Sequence, residues 1–269
     1  MNEPQASETE DAFERYARFL KRTREMGIVG HRGGLAATRR LLELCDLQPG
    51  QLILEVACGS GYTAAIAAKE SGVRVVAGDR ERHILLRAVE RVRRMKVAEG
   101  VWPLQLDLRQ LPFADDRFDG VICESVLGFL ADRLQALREL QRVVKPGGFL
   151  ANNEVTFLET PPEEFRAGLE AAAPRSGGFL AVPVEPDEHA RLFEEAGFGP
   201  LTVETGDASA RRQVLDQMQI DGFRALKPLF ASMFDRELRG AVYRRATAEA
   251  LRTFNGCTGY GLYFARKRG

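Results

Sequence analysis

From position 52 onward the chain alternates short apolar runs with longer stretches whose apolar residues recur at helical spacing. Runs at 52–56, 73–78, 102–106, 118–123 and 149–154 predict strands, and the stretches 62–69, 81–95 and 131–144 predict the helices between them. Alternation of this kind implies right-handed crossovers and a parallel sheet covered on both faces, with ligands held beyond the carboxyl ends of the strands. A further helix is expected over 187–196, a strand over 201–205 and a closing strand over 261–266.

Two parts depart from the alternation. The segment 11–25 places Phe13, Tyr16, Ala17, Phe19 and Leu20 at helical spacing, and a glycine-dense loop at 27–34 leads into a helix striped by Leu41, Leu42, Leu44 and Cys45. Between 207 and 255, long helical periodicity through Val214, Leu215, Met218, Phe223, Phe230, Phe234 and Tyr243 reads as an inserted helical cap. The expected division is therefore 1–206 as N-terminal helical segment plus α/β core, 207–255 as cap, and 256–269 as final core strand. Rings from the cap and the N-terminal helix would line a pocket suited to a partly apolar or aromatic molecule.

Composition narrows the partners. Across 269 residues, 38 basic side chains balance 38 acidic ones, so no global field favours a nucleic acid. The helix at 80–96 is arginine-rich, but Glu81, Glu90 and Glu99 interleave with it and predict a solvated face. Cys45, Cys58, Cys123 and Cys257 form no CxxC pair, which reads as reduced thiols in a cytoplasmic protein and gives no metal site. No apolar run approaches the roughly 18 residues of a membrane span, and no signal peptide pattern opens the chain.

The candidate chemistry begins where the first strand ends. Leu52, Ile53, Leu54 and Val56 run into Gly59-Ser60-Gly61, which lets the backbone turn sharply under a ligand before a helix begins at Tyr62. Asp79 closes the second strand at the offset, about 20 residues, where a carboxylate meets a cofactor's ribose, although it could equally cap the next helix. Gly59 to Ala64 also satisfies G-x-G-x-x-G/A, so these two strands suit a nicotinamide enzyme as well as a methyltransferase.

Later motifs separate the two. Leu106-Asp107-Leu108, Leu111-Pro112-Phe113, Arg117-Phe118-Asp119-Gly120-Val121-Ile122 and Leu140 to Gly148, ending Lys145-Pro146-Gly147-Gly148, closely resemble the class I S-adenosylmethionine-dependent methyltransferases. The similarity is to the branch holding the ubiquinone and menaquinone C-methylases. It covers about 52–154 and implies a Rossmann-like, doubly wound, mostly parallel seven-stranded sheet. It also implies S-adenosyl-L-methionine as cofactor, with S-adenosyl-L-homocysteine as product.

By the same resemblance Glu55 faces the methionine end, Gly59 and Gly61 pass beneath the cofactor, and Asp79 holds the ribose. Asp107 with Leu108 borders the adenine, Arg80 stands where it could stack on that ring, and Cys123 to Ser125 lie beside the sulfonium. Ala57 replaces the family's usual first glycine, and Glu55 its common aspartate. His31 falls in a segment that related enzymes fold over the cofactor. Glu124 and Glu154, at the ends of the fourth and fifth strands, are candidates for a base or an acceptor contact. His83 and His189 read as surface bystanders.

The fourth strand is not followed by the N-P-P-Y or D-P-P-Y tetrapeptide of amino-methylating enzymes, and the Pro-Cys pair of cytosine methylation is absent. The reading is thus in-line methyl transfer to a small-molecule acceptor. An NAD(P)-dependent oxidoreductase and a non-catalytic binder of the same cofactor are its alternatives.

Overall fold

The computed structural model describes residues 5–25, 33–207, 215–216 and 245–269. Seven strands form one sheet in the order β3-β2-β1-β4-β5-β7-β6. They are β1 Leu52–Val56, β2 Arg74–Asp79, β3 Val101–Gln105, β4 Phe118–Glu124, β5 Val144–Phe157, β6 Thr202–Asp207 and β7 Thr258–Arg266. The pairs β1·β2, β1·β4, β2·β3 and β4·β5 are parallel, while β7 runs antiparallel between β5 and β6. Strand order reverses between β1 and β4, which opens a crevice at their carboxyl ends.

Helices α2 Gly34–Cys45, α3 Tyr62–Ser71, α4 Arg82–Arg94, α5 Arg133–Val143 and α7 Pro186–Glu195 accompany the sheet. Separate apolar clusters form, one through Leu54, Val121, Leu137 and Phe193 and another through Leu41, Ile53, Ala64 and Ile122. Both strands at the reversal, β1 and β4, are apolar almost throughout because each is covered from both sides.

The boundaries show where local chemistry overrides the apolar pattern. Helix α5 begins at Arg133, two residues later than expected, because the Asp132 carboxylate accepts the Gln135 amide at 2.8 Å and caps it. Strand β5 starts at Val144 rather than 149, since Val144 pairs with Phe118 and the register then shifts across the Pro146 turn. At the amino end of the crevice strands, Asp119 accepts the Leu52 amide at 2.7 Å and Lys145 Nζ at 2.6 Å. Burial alone would raise its pKa, but these contacts hold it below the usual carboxylate range.

A third cluster stands beyond the carboxyl end of β5. Helix α1 Gln5–Glu25 packs there on α6 Glu163–Ala172 and α8 Arg245–Cys257, with Phe13 edge-on to Phe165 at 5.1 Å and Tyr16 at 6.4 Å from Phe254. The sequence pattern did not predict α6. Of the expected cap, β6 bounds one side and α8 forms its end. Val214, Met218, Phe223, Phe230, Phe234 and Tyr243 lie outside the described residues, whereas Leu215 is exposed.

Two expectations about exposure are corrected. His189 is fully buried on α7, edge-on to Tyr263 and Phe193, because it falls four residues before Phe193 on the helix's inward face. Arg91 is buried on α4, because it lies seven residues after Ile84 on the stripe that faces the sheet. Among the described residues no helix is long and apolar enough to cross a membrane, and no cluster could hold a metal ion. All four cysteines are free and buried.

Candidate cofactor cleft and active site

The turn after β1 is built from left-handed residues. Ala57, Gly59 and Gly61 have φ of 53°, 54° and 69°, and Gly61 then opens α3. A Cβ on Gly61 would come within 2.9 Å of Ala88 Cβ, so α3 can approach α4 only with glycine there. Ala57 explains the family's preference for glycine, since an L-residue with a side chain is strained at that φ.

Contacts from other elements hold this turn. The Gly59 amide donates to Asp79 Oδ2 at 3.0 Å, and the Glu81 amide to Asp79 Oδ1 at 2.9 Å. Asp79 thus closes both the glycine turn and the start of α4, the second of these being the capping role that the sequence offered beside the ribose contact. Arg91 Nε donates to the Ser60 carbonyl at 3.0 Å while its guanidinium lies 5.4 Å from the Tyr62 ring centre. Sequence reasoning missed Arg91; its place in the 84, 88, 91 stripe was the available signal.

Carboxylates converge on the crevice. Glu55 is buried at the end of β1 and accepts the Ala64 amide, but its Oε2 has no partner. Burial raises its pKa well above the usual range, and the neighbouring Glu124 and Asp79 charges add to that. Glu124, at the end of β4, accepts Thr63 Oγ1 at 2.7 Å, Asn153 Nδ2 at 3.0 Å and Thr38 Oγ1 at 3.1 Å. Ser125 follows with φ of 55° and a buried hydroxyl that has no partner.

At the far end, Arg109 hydrogen-bonds the Asp107 carboxyl and holds its pKa at about 2, with Arg80 contributing a further positive charge. Arg80 itself is exposed and pairs with Glu81. Leu108 is buried in the core beside this edge.

The structure places Cys123 and Glu154 away from the crevice. Cys123 has its thiol among Leu54, Val56 and Val121 in the core, because alternate residues of β4 face opposite sides. Glu154 is fully buried and accepts the amides of Val126 at 2.9 Å, Leu127 at 2.8 Å and Gly128 at 3.4 Å. It closes the turn after β4 rather than presenting a free carboxylate. His31 lies outside the described residues.

The donor set suits a cationic nucleoside. An unpartnered, buried carboxyl oxygen on Glu55 stands beside Glu124, and Asp79 and Asp107 are placed successively along the strand ends. A dinucleotide pyrophosphate fits poorly, because the start of α3, where an anion would seek free amides, faces two carboxyl groups, Glu55 accepting the Ala64 amide and Glu124 the Thr63 hydroxyl.

Comparison with known proteins agrees. Residues 54–152 match the family model described as a methyltransferase domain. Methyltransferase GfsG of Streptomyces halstedii is 30% identical over 195 residues, which are 72% of this chain and 69% of that protein. The demethylmenaquinone methyltransferase of Corynebacterium urealyticum is 40% identical over 186 residues, 61% of this chain and 76% of that protein. Two solved structures share the fold. The [4+2]-cyclase SpnF has a TM-score of 0.68 at 20% identity, over 95% of this chain and 93% of its own. Haemonchus contortus phosphoethanolamine N-methyltransferase 2 in complex with S-adenosyl-L-methionine has a TM-score of 0.68 at 17% identity, over 93% of this chain and 57% of its own.

Proposed function

Because the chain belongs to the class I S-adenosylmethionine-dependent methyltransferases, in the branch of the ubiquinone and menaquinone C-methylases, we propose that it methylates a small-molecule nucleophile in the crevice between β1 and β4. The observation that supports this most is the unpartnered buried oxygen of Glu55 beside the clasped carboxylate of Glu124. When bound, S-adenosylmethionine supplies an activated methyl group on a cationic sulfur. The residues have correspondingly little bond-making chemistry to perform.

Glu55 would receive the positively charged methionine end, Asp79 the ribose hydroxyls, and Asp107 the adenine edge. Glu124, fixed by three donors from α2, α3 and β5, would orient the acceptor or take its proton. Three donors hold this carboxylate in one place, so it suits positioning of the acceptor. In-line alignment can itself supply about 7–11 kcal/mol of barrier reduction. An acceptor of partly apolar or aromatic character would suit the side of the crevice where the apolar cluster of α1, α6 and α8 stands beyond β5.

Calorimetric titration with S-adenosylhomocysteine and separately with NADH tests the cofactor, and a screen with labelled methyl donor tests the acceptor class. Tight binding of NADH with none of S-adenosylhomocysteine would overturn the reading. Label appearing only on macromolecules would overturn its small-molecule part.

A further inference from the structure

A buried polar chain runs from α7 across β5 to the turn after β4. His189 Nε2 lies 2.8 Å from Asn152 Oδ1. Asn152 Nδ2 donates to the Cys123 carbonyl at 2.8 Å and to Glu154 Oε1 at 3.2 Å. Glu154 in turn receives the amides of Val126, Leu127 and Gly128. His189, Asn152 and Glu154 are all fully buried.

The direction of each bond follows from chemistry. Both groups facing Asn152 Nδ2 are acceptors, so the amide orientation is fixed and Oδ1 must accept from the imidazole. Burial and the nearby Arg133 charge hold His189 at a pKa of about 3, so the ring is neutral and carries its single proton on Nε2. Nδ1 is left as a buried acceptor without a partner. A histidine kept neutral, buried and half-satisfied is costly for packing alone.

The end of the chain explains what it holds. The three amides belong to the residues directly after Ser125, whose φ is 55° and whose own amide donates to the Asn153 carbonyl at 2.7 Å. That sharp turn carries Glu124 and Ser125 into the crevice, and Glu154 ties its following residues to β5. Gly128 is packed against the same carboxylate, where an added Cβ would lie 3.0 Å from the Val182 carbonyl.

We propose that His189 is a positioning residue for methyl transfer: through Asn152 it orients the Glu154 carboxylate that anchors Val126–Gly128, and so sets the Glu124–Ser125 turn against the cofactor cleft. The inference rests on S-adenosylmethionine occupying that cleft. His189 touches neither cofactor nor acceptor, and its effect reaches them only through the turn.

The test uses two amide replacements of equal polarity. Glutamine at 189 carries an N–H at the place of Nε2, whereas asparagine carries one at the place of Nδ1. Binding of S-adenosylhomocysteine is measured by calorimetry, with thermal unfolding as a check on folding. His189→Gln is expected to stay within threefold of wild type and His189→Asn to bind at least tenfold more weakly. Equal affinities of the two variants would overturn the proposal.

A second measurement needs no variant. In the wild-type protein, S-adenosylhomocysteine should shift the His189 Nε2–H resonance and slow hydrogen exchange at Leu127 and Gly128. No change at either place overturns the proposal even where His189→Asn fails to fold. Failure of the wild type to bind S-adenosylhomocysteine would instead count against the cofactor reading itself.

Discussion

Gly59 and Asp79 meet across the first crossover, the glycine amide donating to the carboxylate at 3.0 Å, so the cofactor turn and the acid at the next strand end form one unit. Asp79→Ala should therefore act on the turn as well as on the ribose contact. Hydrogen bonds to a charged group contribute roughly 1.5–3 kcal/mol each. Loss of the pair proposed for the ribose hydroxyls, about 3–6 kcal/mol on that figure, should weaken S-adenosylhomocysteine binding by more than about 100-fold. Asp79→Asn keeps one acceptor and should lose at least about tenfold by the same reckoning. Calorimetry checks both, and an Asp79→Ala protein that binds like wild type would falsify the assignment.

Ala57 offers a test in the opposite direction. Its φ of 53° strains a residue that carries a Cβ, by about 1–2 kcal/mol. Glycine removes that strain but adds roughly 0.5–1 kcal/mol of unfolded-state entropy. Ala57→Gly is expected to stabilise the protein by about 0–1.5 kcal/mol on these figures, read as an unchanged or raised midpoint in urea. A clear fall in the midpoint would mean that the Ala57 methyl packs well enough to outweigh its backbone.

Legibility in the sequence followed the range of the forces involved. Strands β1 and β4 declared themselves because burial on both faces leaves continuous apolar runs, and the turn at Gly59 and Gly61 because few other residues accept its φ. Helix α6 was missed: it has ten residues, follows Pro161-Pro162, and shows little beyond Phe165 and Leu169 four apart. His189 was misjudged because Asp187, Glu188 and Arg191 surround it in sequence while its partners Asn152 and Tyr263 come from distant strands. Glu154 had the right position for a catalytic carboxylate; only the fold brings the amides of 126–128 onto it.

Arg91 distinguishes a solvated arginine from a structural one. Its Nε donates to the Ser60 carbonyl, and the side chain is 6% exposed. Arg91→Met keeps the apolar stem but leaves that carbonyl without its donor, a loss of about 1–3 kcal/mol. Arg91→Lys keeps charge but not the fixed fork, and should fall between wild type and Arg91→Met. Urea unfolding provides the measurement, with S-adenosylhomocysteine affinity expected to fall in the same order. A change within about 0.5 kcal/mol, usual for surface substitutions, would return Arg91 to the solvated face.

Glu55 carries the pH dependence. Burial, then Glu124 and Asp79, raise its folded pKa above the unfolded value of roughly 4.3. A raised carboxyl pKa means that the folded protein binds the proton more tightly, so its stabilising effect is full below the unfolded pKa and is lost as pH climbs through the folded one. Glu55→Gln cannot lose a proton and escapes that loss. The Tm of Glu55→Gln relative to wild type should therefore rise from acid towards neutral pH. Glu154, also raised by burial, is common to both proteins and cancels in the difference. Cationic S-adenosylmethionine favours the ionised carboxylate, so its binding should release a proton from Glu55, and wild-type affinity should increase with pH through the same window. Calorimetry in two buffers of different ionisation enthalpy counts that proton. Equal release by wild type and Glu55→Gln would place the titrating group elsewhere.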